Sequence, residues 1–431
     1  MILEIVTSLA MGGLVAKLKF SGGSDAQKIE KICTNCGLTK EKKSIQIYRR
    51  SNIEGGTEYA FRIPYGLSFS DFVNKLDQIQ DGLNAKKTVM DIRWEDIKNI
   101  NLRENIPKQV KTIIDKKMQL KKEVELAFDG MLKVRVYNQP LTDDFPYDES
   151  LLAKCKGWKI PIGTTRQDLI LHDFDKIPHM IVAGTTTYGK TVFLKNLITT
   201  FIHTQPKHVK FTLIDLKGGL AFNRFKNCSQ VLTVAKDEKE TLEALKKVKK
   251  ELYEKLEYMY NKGFENIKES GTKERHFIIV DEAAIISPNI EKIPELKQTK
   301  SECELILSEI ARIGGSIGYR LIYATQAPYR EVLNPQIKQN CDAKVCFMLQ
   351  TESASRVVLD ESGAEKLPLI KGRAIYQTDK RVIVQTPFIK NDFIEKVITP
   401  HIVLKPRKDD QQHENGKRDT NRADSIVFEE A

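Results

Sequence analysis

The sequence predicts an α/β protein in which a mostly parallel sheet holds a phosphate-binding loop, preceded by a small α/β domain. Three observations carry that reading. From about Gly157 onward, apolar runs of strand length alternate with amphipathic helical stretches, as a mostly parallel sheet requires. Inside this half, Gly184, four residues, then Gly189, Lys190 and Thr191 fit the spacing G-x-x-x-x-G-K-[ST]. Ahead of it, residues 44–64 and 123–137 read as strand pairs with helical periodicity between them. With 431 residues the chain holds about two domains and has ample length for a core. The expected boundaries are residues 1–16 for a short apolar segment, 17–150 for the small domain, 151–405 for the nucleotide domain and 406–431 for a charged tail.

The first fifteen residues, MILEIVTSLAMGGLV, are apolar apart from Glu4, Thr7 and Ser8, and Lys17 and Lys19 follow. A spanning helix needs about 17 to 25 residues. The segment therefore reads as a shallow anchor, a partial span or a buried first element, and the lysines behind it suit an inner membrane face. Cys33 and Cys36 form a C-x-x-C, but no second such pair or His pair completes a tetrahedral zinc site, so both read as structural. Ile45 and Ile47, then Tyr59, Phe61 and Ile63, alternate across a Gly55-Gly56 turn. Ser68 and Asp71 resemble a capping box for one helix carrying Phe69, Phe72, Val73, Leu76, Ile79 and Leu83 at helical spacing. From Arg103 to Lys122 a further helical pattern carries Lys108, Lys111, Lys116, Lys117, Lys121 and Lys122, a solvated face first and a phosphate-backbone contact second. Glu123–Phe128 and Leu132–Tyr137 alternate around Asp129-Gly130. No catalytic constellation is visible up to about residue 150.

The chemistry begins at Ile177–Leu194, IPHMIVAGTTTYGKTVFL. Met180, Ile181 and Val182 make a buried strand, and Thr191 to Ile198 make the helix that should follow it. Between them, Gly184, Thr185, Thr186, Thr187, Tyr188 and Gly189 would wrap a polyphosphate such as that of ATP in backbone N–H groups at a helix N-terminus. Lys190 would neutralise the β and γ phosphates, and the Thr191 hydroxyl can ligate Mg²⁺. Val209–Ile214 is a strand ending in Asp215, then Lys217-Gly218-Gly219. Ligands sit at the carboxyl ends of parallel strands, so Asp215 and Lys217 either lie near the nucleotide or form an ordinary strand-end turn. Residues 238–262 read as a long helix with Leu242, Leu245, Val248, Leu252, Leu256 and Met259 on one face and Gly263 at its C-cap.

Phe277–Val280 is an apolar strand ending in Asp281-Glu282, about ninety residues after Lys190. In phosphoryl-transfer sites of the phosphate-loop class, such an Asp supports Mg²⁺ and a neighbouring Glu polarises the attacking water, so Asp281 is the candidate metal partner and Glu282 the candidate general base. Tyr319–Ala324 forms another strand, ending in Thr325-Gln326. Gln326 reads equally as a contact to the γ phosphate and attacking water or as a satisfied strand-end amide.

Lys plus Arg exceed Asp plus Glu, 69 against 58, for a net charge of +11. That suits a polyanionic partner or an anionic membrane surface, and equally a protein with lysine-rich solvated helices. Seven cysteines without a disulfide-like pattern, and no cleavable signal sequence, point to the cytoplasm, with residues 1–15 as the one candidate membrane contact.

With these residues in view, the chain resembles the FtsK/SpoIIIE family of hexameric, ATP-driven DNA translocases. The resemblance runs through PHMIVAGTTTYGKT (Pro178–Thr191), IDLKGG (Ile214–Gly219), IIVDEAA (Ile278–Ala284), YATQAP (Tyr323–Pro328), SRVVLDESGAEKLP (Ser355–Pro368) and KGRAIYQ (Lys371–Gln377), over about residues 155–390. It implies a RecA-like motor that rings duplex DNA, hydrolyses ATP at subunit interfaces and moves the duplex with loops in the central channel. Ring ATPases complete each site with an arginine from the next subunit; Arg356 and Arg320 are the candidates, each equally readable as a salt-bridged structural arginine.

Thr187-Tyr188 replaces the family's usual Gly-Ser. No multi-span membrane region precedes the motor and no winged-helix module follows it, which sets the chain apart from septal chromosome segregation. After Lys405 the sequence is polar and charged without periodicity and reads as a disordered tail, ending in SIVFEE, a frayed end or a short docking peptide. The expectation is a compact motor similar to those of plasmids, conjugative elements or phages, partnered by a relaxase or transfer-channel proteins. Two rivals stand beside it. Protein-secretion ATPases also use FtsK-like motors, although they usually carry them in tandem and this chain has one phosphate loop; a nucleotide-dependent scaffold is opposed by the intact Asp281-Glu282 pair.

Overall fold

A computed structural model describes residues 25–41, 43–53, 55–84, 122–138 and 140–403. The apolar segment 1–15, the lysines at 108, 111, 116, 117 and 121, and the charged tail lie outside the described residues. Those residues fall into two compact units, one reaching Thr142 and including Arg166–Asp168, the other formed by Asp143–Thr165 and the chain from Leu169 onward.

In the first unit, β1 (Gln46–Ile53), β2 (Gly56–Arg62), β3 (Glu123–Phe128) and β4 (Leu132–Tyr137) form an antiparallel sheet in the order β1-β2-β4-β3. Period-two alternation puts Leu132, Val134 and Val136 of β4 in the core, where they meet Ile29 and Cys33 of α1 (Asp25–Asn35), Phe72 of α2 (Phe69–Val73) and Ile79 of α3 (Leu76–Asn84). The single helix expected after Ser68 is two. The capping contact forms, with Ser68 N donating to Asp71 Oδ2 at 2.7 Å, but Lys75 N donates to Phe72 O three residues back, and the tightened turn ends the first helix. Lys122 also departs from the solvated-face reading. It is buried, and its ammonium pairs with Asp25 at 2.5 Å while Asn84 brackets its backbone N–H and carbonyl. Burial pushes the Cys33 thiol up to about 12, the behaviour of a core residue. Among the described residues, no group of three or more His, Cys, Asp or Glu side chains could hold a metal ion.

The second unit is built on ten strands in the order β6-β5-β14-β13-β12-β7-β11-β10-β8-β9. Its parallel part comprises β7 (Met180–Ala183), β8 (Val209–Ile214), β9 (Val231–Ala235), β10 (Arg275–Val280), β11 (Tyr319–Thr325) and β12 (Ala343–Phe347). An antiparallel extension of β13 (Arg373–Gln377), β14 (Arg381–Gln385), β5 (Lys159–Thr164) and β6 (Leu169–Asp173) continues from β12. The central strands β7, β10 and β11 are buried on both faces, so they read as near-continuous apolar runs. Met180 and Val182 face one core with α5 (Glu149–Leu152 being α4, and α5 Lys190–Thr204), while Ile181 and Ala183 face the other with α6 (Glu238–Lys262) and α7 (Pro294–Ile313). The long α6 ends as its sequence requires: Asp237 caps it by accepting from Glu240 N at 2.9 Å, worth about 1 kcal/mol, and Gly263 closes it at φ 72°. No helix among the described residues is long and apolar enough to cross a membrane.

This topology puts β7 between β12 and β11, with β10 next. The loops leaving the carboxyl ends of β7, β10, β11 and β8 therefore converge on one crevice.

Candidate nucleotide site

The loop from Gly184 to Gly189 leaves β7 and runs into α5, whose first residue is Lys190. Three features fix its path. Gly184 N donates to Thr325 O at 3.2 Å, and both Thr185 N and Thr185 Oγ1 donate to Met348 O at 3.1 Å. The loop lies against Phe347 so closely that a Cβ on Gly184 would fall 2.6 Å from the Phe347 Cβ, so only glycine fits. Gly189, at φ 121°, is nearly as confined: its Cβ would meet the Phe347 ring at 3.0 Å and Gly372 at 3.3 Å. Gly372 N in turn donates to Tyr188 O at 2.9 Å, which ties the KGRAIYQ segment to the phosphate loop.

Thr186 and Thr187 are exposed at the loop's crest. Thr187 takes φ 75°, the left-handed region, where a β-branched residue carries about 1–2 kcal/mol of strain. The resembling family loop has glycine at this position.

Lys190 is buried, and its ammonium donates to the Asp281 carbonyl and to Asp281 Oδ1, the latter at 2.9 Å. Thr191 follows, half-buried in the first turn of α5. The two Mg²⁺-ligand candidates, the Thr191 hydroxyl and the Asp281 carboxylate, are both hard oxygens, the donor type Mg²⁺ takes when phosphate oxygens complete its shell. A loop of backbone N–H groups whose two glycines leave no room for a Cβ, with a lysine at its floor, fits a nucleoside triphosphate.

Glu282 is 5% exposed. Its Oε1 accepts from Thr325 Oγ1 at 2.9 Å and from Gln326 N at 3.0 Å; its Oε2 accepts from Lys217 Nζ at 3.2 Å and from Gln326 N at 3.3 Å. Residues predicted on three separate strand ends thus meet. Asp215 plays a different part from Lys217. Buried at the end of β8, its carboxylate accepts from Lys217 N at 3.2 Å and Ala221 N at 2.7 Å, so it shapes the turn that presents Lys217.

Two predicted residues lie away from this centre. Arg320, offered as a candidate arginine for a neighbouring site, is 2% exposed near the amino end of β11 and donates to Gly315 O, Tyr319 O and Asp175 Oδ1 at 2.8–2.9 Å. Within this chain those partners hold it as a buried, salt-bridged arginine. Arg356 sits on α9 (Glu352–Leu359, with α8 at Pro335–Asn340), exposed and paired with Glu352 at 2.7 Å. It remains free to exchange that partner, since exposed i,i+4 pairs are weak.

Sequence reasoning missed Thr325 as a ligand of Glu282, and Phe347 and Gly372 as the bed of the phosphate loop. Thr325 stands beside Gln326 in YATQAP and was legible as the last residue of a buried strand. Phe347 carried no signal of its own.

A Gly-rich phosphate loop between a central parallel strand and a helix, with paired acids at the end of a nearby strand, defines a P-loop ATPase domain. Residues 158–367 match the model of the FtsK/SpoIIIE family, and this chain carries a domain of that family. The chain is 30% identical over 305 residues to the DNA translocase SpoIIIE of Bacillus subtilis, covering 65% of this chain and 37% of that protein. It is 26% identical over 387 residues to the DNA translocase FtsK of Lactiplantibacillus plantarum, covering 87% of this chain and 44% of the relative. The chain thus spans well under half the length of these curated relatives. Among solved structures, the pCW3 conjugation coupling protein TcpA, in its monomer form with ATPgS, shares the fold with a TM-score of 0.58 at 18% identity, over 88% of this chain and 99% of that one.

Proposed function

We propose that this chain is an ATP-driven DNA translocase of the coupling type, moving plasmid, conjugative-element or phage DNA as a homohexamer. The observation that supports it most is the meeting of Lys190 and Asp281, and of Glu282, Thr325, Gln326 and Lys217, in two bonded groups at one crevice of an FtsK/SpoIIIE-type sheet. In this reading the backbone of residues 184–189 binds the polyphosphate, and Lys190 moves from Asp281 onto the β and γ oxygens, a stronger anion than one carboxylate. Mg²⁺, held by Thr191 and Asp281, would neutralise charge on the phosphates when bound. Glu282 takes the proton of the attacking water, Gln326 contacts the γ phosphate, and Arg356 from a neighbouring subunit completes the site. Duplex DNA is the polyanion that the net charge of +11 suits. We place the protein in the cytoplasm, with residues 1–15 as its membrane contact and a relaxase or transfer channel as its partner.

Steady-state ATP hydrolysis with and without linear duplex DNA, across salt concentrations, tests this reading. Duplex raises the rate, and the gain fades as salt rises because phosphate contacts release counterions. Stimulation by a polypeptide with no response to duplex or single strands would replace DNA transport with protein secretion.

A further inference from the structure

The bonding of Glu282 has a consequence beyond its use as a base. A carboxylate offers about four acceptor positions. Three donors already reach it: Thr325 Oγ1, Gln326 N, whose single hydrogen is shared between the two oxygens, and Lys217 Nζ. A water that is to lose its proton to Glu282 must hydrogen-bond one of these oxygens, where it competes with the donors already there. Two of these donors are rooted in the fold: Thr325 is fully buried at the end of β11, and the Gln326 donor is backbone. Lys217 is the exception. Its side chain is 42% exposed and stands on a turn in which Gly218 and Gly219 both take positive φ, 85° and 78°. Asp215 ties the base of that turn through Lys217 N and Ala221 N, while Leu220 at its tip is 80% exposed.

We infer that Lys217 is a positioning residue that restrains Glu282, and that the turn 216–221 is the lever that releases it. The inference rests on the reading of Glu282 as the hydrolytic base. While the ammonium holds Oε2, it competes with the attacking water for that oxygen and water activation is slow. Displacement of the exposed tip at Leu220, by the translocated polymer or a neighbouring subunit, withdraws Lys217 and frees the oxygen. Hydrolysis in the absence of a polymer is thereby held down by one solvent-accessible ion pair, a contact weak enough to break on demand.

The test compares wild type, Lys217→Ala, Lys217→Arg and Glu282→Gln as full chains, with binding of a fluorescent ATP analogue measured beside DNA-free hydrolysis. Loss of an ion pair of this exposure raises DNA-free kcat about threefold to fivefold in Lys217→Ala, leaves KM for ATP within about twofold of wild type, and shrinks the fold-stimulation by duplex. Lys217→Arg stays near the wild-type rate, because it keeps the charge on Oε2. In the Glu282→Gln background, Lys217→Ala changes neither the residual rate nor the analogue's affinity. An unchanged or reduced DNA-free rate in Lys217→Ala overturns the proposal, and so does a loss of analogue binding in the Glu282→Gln background, which would make Lys217 a phosphate ligand. Failure of the underlying reading looks different: wild-type hydrolysis by Lys190→Ala or by Glu282→Gln removes the site itself.

Discussion

The two edges of the ten-stranded sheet use the same ingredient, buried charge, in opposite ways. At the carboxyl edge Lys190 pairs with Asp281 and Lys217 with Glu282, each lysine bound by one carboxylate residue. At the amino edge Asp175 binds two arginines, Arg275 at 2.8 Å and Arg320 at 2.9 Å, whose Nη1 groups donate to the carbonyls of Thr272, Glu274, Gly315 and Tyr319. Burial alone would push the Asp175 carboxyl up, but the hydrogen bonds and charge of the two guanidiniums outweigh it and hold it below the usual carboxylate range. An arginine tied to fixed carbonyls cannot leave its carboxylate without stranding several donors. A lysine on one flexible stem can be taken over by a stronger anion. The amino edge is built to stay, the carboxyl edge to exchange partners.

Substitutions at the two edges should therefore fail differently. Glu282→Gln keeps the side chain's shape but removes proton acceptance along with the exposed ion pair to Lys217, so turnover falls by about 10²–10⁴ with little change in melting temperature. Lys190→Ala removes phosphate neutralisation and lowers hydrolysis by about a hundredfold or more, read in the same coupled assay. Asp175→Ala should do the reverse. It strands two buried guanidiniums and costs about 3–5 kcal/mol of stability, visible in denaturant unfolding, while turnover per folded molecule at a stabilising temperature stays near wild type.

Acid sharpens the contrast further. His172, His179 and His276 are buried at or near the amino edge, and burial pulls each down to about 3, with Arg320 adding to the effect at the first two and Lys210 and Lys255 at the third. In the unfolded chain these imidazoles protonate near pH ~6.5. In the folded protein they stay neutral there, so acid favours unfolding: the histidines' contribution is complete above about 6.5 and is lost as pH falls toward 3. Each should cost about 1.4 kcal/mol per pH unit in that window, measurable as a falling melting temperature that His276→Gln makes shallower. The smallest expected effect is at Thr187. Replacing it with glycine relieves its left-handed strain and stabilises by about 1 kcal/mol or less, with nucleotide binding retained; a loss of stability would show that the threonine's own contacts matter more than its backbone.

The edges also differ in how far they could be read from the sequence. Gly184 to Thr191 and Asp281-Glu282 were legible because each packs its chemistry and its secondary-structure context into one short stretch. The role of Arg320 was not, since the partner that fixes it, Asp175, lies 145 residues earlier and no local pattern joins them. Lys122 misled for the same reason: its partner Asp25 is 97 residues away, and a lysine at the end of a basic run looks solvated until the fold brings a carboxylate to it. The long helix from Glu238 to Lys262 was fully visible because its cap, period and terminating glycine all agree. The antiparallel extension through β13, β14, β5 and β6 was not: β13–β14 and β5–β6 are local hairpins, but the pairing that joins them, Gln385 with Thr164, links strands far apart in the chain.

The most direct test of the central claim, that the carboxyl edge is the chemical edge, is nucleotide binding and turnover measured together on Glu282→Gln. The variant should bind ATP with a dissociation constant close to that of wild type while its turnover falls by about 10²-fold or more. Turnover at the wild-type rate would contradict it and move the base to another residue.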